Sequence, residues 1–109
     1  MKKILLPATL LLVSLSASAE QTGFTAYGVY EQTCGVYLSD ITDANKAEQY
    51  RMWVSGFITR ANIAKGRATN TDPSAHDTWL QKYCKENKDE PFILAVLNLD
   101  KELDGHVDQ

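Results

Sequence analysis

Residues 44–65 read ANKAEQYRMWVSGFITRANIAK, and the spacing in this stretch decides the fold. Ala47, Tyr50, Trp53, Val54, Phe57, Ile58, Ala61 and Ala64 recur at i, i+3 and i+4, the signature of an amphipathic helix. Asp43 is placed to cap its first turn. Lys65 suits the negative end of the helix dipole, and Gly66 sits where a C′ glycine is expected. Placing residues 100° apart reveals a second apolar arc of Met52, Gly56 and Ile63, nearly opposite the first. Glu48, Arg51, Ser55, Thr59 and Asn62 share one narrow polar arc. A helix apolar on two sides is expected at the centre of its domain. Gly56 costs a helix interior about 1 kcal/mol relative to Ala, so it predicts a close backbone approach there.

Working outward, a short helix is expected from Cys34 to Leu38, ending before Asp40. Residues 66–71 (GRATNT) read as a polar loop. Asp72-Pro73 is a cap followed by Pro at the first helical position, and opens a helix to about Glu86 with Trp79, Leu80, Tyr83, Cys84 and Ala75 facing inward. Asp89 or Glu90 with Pro91 repeats that start signal. The last helix carries Phe92, Ile93, Val96, Leu97, Leu99 and Leu103 and stops before Gly105, leaving residues 106–109 as a frayed tail. Residues 20–33 show no helical periodicity and read as an extended arm or short edge strand. The expected fold is all-α: one small bundle of three main helices plus a short N-terminal helix, clipped by one disulfide. Its core spans residues 33–104.

The N-terminus has a different character. Met1-Lys2-Lys3, an apolar run from Ile4 to Leu15 and Ala17-Ser18-Ala19 form the layout of a secretory signal peptide over residues 1–19. The run is shorter than the ~20 residues that span a bilayer, so no membrane anchor is expected. Cleavage near Ala19 leaves a mature domain of residues 20–109, periplasmic or secreted. Lys2 and Lys3 leave with the leader, so nine basic residues face fourteen acidic ones, a net charge of −5. Such a chain gains nothing from counterion release on phosphates, which argues against nucleic acid as a partner. In an oxidising compartment the two cysteines, Cys34 and Cys84, read first as a structural disulfide. A redox or metal pair is the rival, but no C-x-x-C is present and His76 and His106 lie in no ligand spacing with either cysteine.

Little in the chain points to catalysis. Ser74, His76 and Asp77 fall within one helical turn, where their side chains diverge. Asp100 and Asp104 lie i, i+4 like a carboxylate dyad, yet read more simply as a solvated face. Lys65 and Arg67 are an anion site or, more simply for Lys65, a helix-dipole partner. No catalytic residue, metal site or cofactor is expected, and the chain reads as a protein-binder rather than an enzyme. Its candidate binding surfaces are the charge-poor arc Arg51, Ser55, Thr59 and Asn62, and the tyrosine-rich arm with Phe24, Tyr27 and Tyr30. The arc residues otherwise satisfy neighbouring groups, and the arm otherwise packs over the helices.

Thr33-Cys34-Gly35-x-Tyr37, Trp53-Val54-Ser55-Gly56-Phe57-Ile58 and Trp79-Leu80-x-x-Tyr83-Cys84 resemble the small exported proteins grouped with the HdeA/HdeB acid-stress chaperones, over roughly residues 33–103. The Trp-x-x-Gly-Phe and Trp-Leu-x-x-Tyr-Cys pattern is also similar to Tai-type immunity proteins, which neutralise peptidoglycan amidases. The first resemblance implies a helical periplasmic domain in which Cys34 and Cys84 match the family's bonded pair. It implies unfolded clients as partners, and the second a specific periplasmic enzyme; a homodimer is open as an assembly. The chain lacks the lysine-rich C-terminal end of the chaperones. Acid sensitivity has a physical basis of its own: fourteen carboxylates lose charge between about pH 5 and 3, and any that are paired in the fold then lose that stabilisation.

Overall fold

The computed structural model describes residues 25–108. The leader, Phe24 and Gln109 lie outside the described residues. A 3-10 turn, Val29–Glu31, leads into four helices: α1 Cys34–Asp40, α2 Ala44–Lys65, α3 Pro73–Glu86 and α4 Phe92–Leu103. Among the described residues there are no strands, only isolated bridges. The chain is an all-α small domain, as its patterning predicts.

The limits of α2 follow its end signals. The Asp43 carboxylate accepts from the amides of Asn45 and Lys46 at 2.9 and 3.0 Å. Gly66 closes the helix in the left-handed region at φ 60°, which lets the Arg67 amide reach back to the Asn62 carbonyl at 2.9 Å. In α3, Asp72 accepts from the Ala75 amide at 2.9 Å, with Pro73 at the first position. The start of α4 departs from expectation. Pro91 itself occupies the cap position, without a side-chain cap. The Glu90 side chain is instead engaged by the Tyr83 hydroxyl, and the Phe92 amide donates to the Gln32 carbonyl at 2.7 Å. The same crossing serves α1. Its first amides, Cys34 and Gly35, donate to the carbonyls of Glu90 and Lys88 at 2.8 and 2.9 Å, so the orphan donors of one helix are satisfied by the turn before another. Helix α1 runs on to Asp40, where the Ile41 amide still finds the Tyr37 carbonyl.

The core corrects the expected centre. Helix α4, not α2, lies at the heart of the domain: Phe92, Ala95, Val96, Leu99 and Leu103 are all buried. Phe92 stacks on Tyr37 with centroids 4.4 Å apart and meets Tyr50 edge-on at 5.3 Å. Helix α2 contributes only one face, Tyr50, Val54 and Ile58. Its second apolar arc is uncovered among the described residues: Met52 and Ile63 are 66% and 68% exposed, and a Cβ at Gly56 would meet nothing within 4 Å. Among the described residues the close approach expected at Gly56 is absent, since none of them comes within reach of a side chain there. Two smaller corrections concern α3 and the tail. Ala75 is exposed and His76 is buried in its place, since Thr71 folds beneath the first turn and its hydroxyl lies 2.9 Å from His76 Nε2. Residues 106–108 are not frayed; they pair antiparallel with 68–70, the Asn70 amide donating to His106 and the Asp108 amide to Ala68.

Cys34 and Cys84 are fully buried with their Sγ atoms at bonding distance, 2.11 Å, and Cα atoms 4.9 Å apart. A disulfide there ties the start of α1 to the end of α3, across a separation of 50 residues.

Candidate functional site

The polar arc of α2 is not one open surface. At its N-terminal end, Arg51 Nε donates to Asp77 Oδ2 on α3 at 2.9 Å, at the rim of a cavity of about 290 Å³ floored by Tyr37, Tyr50 and Leu80. At its C-terminal end, Asn62 Oδ1 accepts from Arg67 Nε at 2.6 Å. Ser55 between them is half-buried and Thr59 exposed. The structure therefore separates these four residues: Arg51 and Asn62 each bond a different side chain of their own fold.

Arg67 is the residue the sequence pattern hides. It follows the C′ glycine in what reads as a polar loop, yet its side chain is only 4% exposed. Its guanidinium donates to the Asp100 carbonyl at 2.8 Å, to Asp100 Oδ1 at 2.6 Å and to Asp104 Oδ1 at 2.8 Å. Lys65 Nζ adds contacts to both carboxylates at 3.1 and 3.3 Å. Asp104 remains exposed, as a solvated face requires, while Asp100 is largely covered; together they clamp the chain after α2 onto α4. The hydrogen bond from Arg67, with a further one from Lys65, holds the Asp104 carboxyl below its ordinary value against a smaller opposing effect of burial. Nearby, burial lowers the His76 imidazole, reinforced by Arg67 and opposed by Asp72 and Asp77. His76 Nδ1 is buried without a hydrogen-bond partner. Only an i, i+4 spacing facing two cations after a helix end hinted at this cluster.

The opposite side of α2 carries the apolar surface. Met52, Trp53, Gly56 and Phe57 from α2, with Ile93 and Leu97 from α4, line a cleft of about 680 Å³ whose far edge is the arm at 25–27. The arm is held by its backbone: Trp53 Nε1 donates to the Tyr27 carbonyl at 2.7 Å. Gly28, at φ 86°, lies where a Cβ would come within 2.8 Å of the Trp53 ring, so both its backbone and its lack of a side chain are needed. The Tyr27 ring itself stands 79% exposed. Tyr30 lies in the 3-10 turn, and its side chain is outside the described residues.

No protein-family model, curated protein or solved structure matches this chain. Among the described residues no group of three or more His, Cys, Asp or Glu is arranged to hold a metal ion, and no helix is long and apolar enough to cross a membrane. What the geometry offers chemically is an uncovered apolar cleft on one side of α2 and a charge-clamped helix end on the other.

Proposed function

We propose that the chain is a non-enzymatic periplasmic protein-binding domain of HdeA-like type that acts as a chaperone under acid or related stress. One observation carries this reading: the apolar arc Met52, Gly56 and Ile63 of α2, continued by Leu97 and Tyr27, is left uncovered by the described residues. Small domains rarely leave a contiguous apolar face in water unless something binds it. The buried Arg67 clamp gives acid a way to enlarge that face. Protonating Asp104, whose carboxyl Arg67 holds low, strips counter-charge from a buried cation, a costly state, and loosens the end of α2. The disulfide would limit the opening. Mixing the purified protein with an aggregation-prone client at about pH 3, below the ordinary carboxylate range, and again at pH 7 tests the reading. Suppressed aggregation at low pH is expected, and its absence would sink the chaperone role.

A second reading, an immunity or inhibitor protein for a cell-wall hydrolase, is favoured by the cleft being already formed and walled by two helices. It predicts a tight stoichiometric complex with one purified amidase at pH 7, with loss of that enzyme's activity.

A further inference from the structure

We infer that the cleft between α3, α4 and the tail is a carbohydrate site, taking the pyranose rings of a short neutral oligosaccharide. It is separate from the apolar face of α2 and independent of the chaperone reading.

The cleft is about 510 Å³, within the ~300–1,000 Å³ range of small-ligand sites. Trp79 and Tyr83 form one wall, one helical turn apart, with ring centroids 5.3 Å apart and planes within 15° of parallel. The wall is fixed in place. The Tyr83 hydroxyl donates to Glu90 Oε1 at 2.6 Å and accepts from Asn98 Nδ2 at 3.1 Å. Opposite stand Asn98, Lys101 and Glu102 from α4 and His106 from the tail. His106 Nε2 lies 3.3 Å from Glu102 Oε2, so the rim holds donors and acceptors together.

This set of groups discriminates between ligand classes. The negative face of an aromatic ring attracts polarised C–H groups, which a pyranose presents on its flat side, while its hydroxyls need donors and acceptors together at the edge. A purely apolar ligand would strip water from an ammonium, a carboxylate, an amide and an imidazole without replacing those hydrogen bonds. A phosphorylated ligand would meet the Glu102 carboxylate beside Lys101, in a mature domain of net charge −5. A cationic side chain would meet Lys101 beside Glu102, a carboxylate already shared with His106. A neutral polyhydroxylated ring meets none of these penalties.

The test is titration of the purified protein with chitotriose and, separately, cellotriose, following the two indole N–H resonances. Trp79 reports on the cleft, and Trp53, bonded to the Tyr27 carbonyl on the other side of the fold, is the internal control. Saturable movement of Trp79 alone by either sugar, with a Kd on the order of 1 mM or tighter, is expected. Glu102→Gln should weaken that binding roughly tenfold, the loss of one charge-assisted hydrogen bond. Trp79→Ala risks the fold, because the ring also packs on the core; Glu102→Gln and His106→Ala alter only exposed groups. No movement of Trp79 with either sugar, equal unsaturated movement of both indoles, or binding unchanged in both variants would overturn the proposal.

Discussion

The two apolar faces of α2 are written in the same alphabet and meet opposite fates. Tyr50, Val54 and Ile58 are buried against α1, α3 and α4, while Met52, Gly56 and Ile63 on the other side meet solvent. Hydropathy does not separate them, since Ile58 and Ile63 are the same residue on the same helix. What separates them is the supply of partners. Helix α4 places six buried side chains in twelve residues, enough to seal one side of α2, and no further helix among the described residues lies over the second. The lesson is that an apolar arc reports a demand for burial, and the rest of the chain decides whether that demand is met at home or by another molecule.

The sealed side should be the more fragile to alteration, and its largest element is the cysteine pair. Replacing both Cys34 and Cys84 by Ala, or reducing them, is expected to cost up to about 4 kcal/mol, the chain-entropy value for a 50-residue loop. Denaturant unfolding measures this directly. A loss below ~1 kcal/mol would mean that packing alone holds α1 to α3. Next, Ile58→Ala should cost about 2–4 kcal/mol, because the side chain is 3% exposed inside the core. An Ile58→Ala cost equal to that of Ile63→Ala would break the comparison outright.

A pH series sharpens it from the charged end of the helix. His76 is held neutral by burial, so its folded value lies below the ordinary one near 6.5. Its contribution is whole above that pH and is lost as pH falls through the depressed folded value. Asp104 is also held low, by Arg67 first and Lys65 after it, so its contribution is whole above about 4 and is lost below that. Unfolding midpoints from pH 8 downward should therefore fall in two stages. His76→Leu should remove the upper stage and leave the lower one, and a single unchanged decline in that variant would refute the assignment.

Much of this architecture is legible in the residues themselves. The limits of α2, the Asp72-Pro73 start and the all-α class follow from caps and periodicity because those signals act within a few residues. The Arg67 clamp does not, since a buried guanidinium after a helix end depends on carboxylates more than thirty positions away. The paired tail at 106–108 escapes for the same reason: its hydrogen bonds are made to 68–70. At the candidate surfaces, local pattern placed Arg51 and Asn62 on one arc, and tertiary contacts then drew each to a different partner. The second apolar arc of α2 predicts an interior and meets solvent among the described residues, because sequence shows which side chains avoid water and not how many helices are available to cover them.

The smallest stability effect and the sharpest functional one are expected at the same place. Ile63→Ser and Met52→Ser remove apolar groups that are already in water, so each should change stability by no more than about 0.5 kcal/mol. If the uncovered face is where partners bind, the double variant should unfold at the unaltered midpoint and yet lose most of its ability to hold a client at low pH. The two measurements need each other. Loss of client binding together with a lowered midpoint would mean that the face is structural, and unchanged binding at an unchanged midpoint would move the interaction elsewhere. Retained stability with lost binding is the one outcome that makes the second face of α2 a surface kept open for another chain, and Gly56, with free space where a Cβ would stand, is then the point where that chain's backbone can come closest.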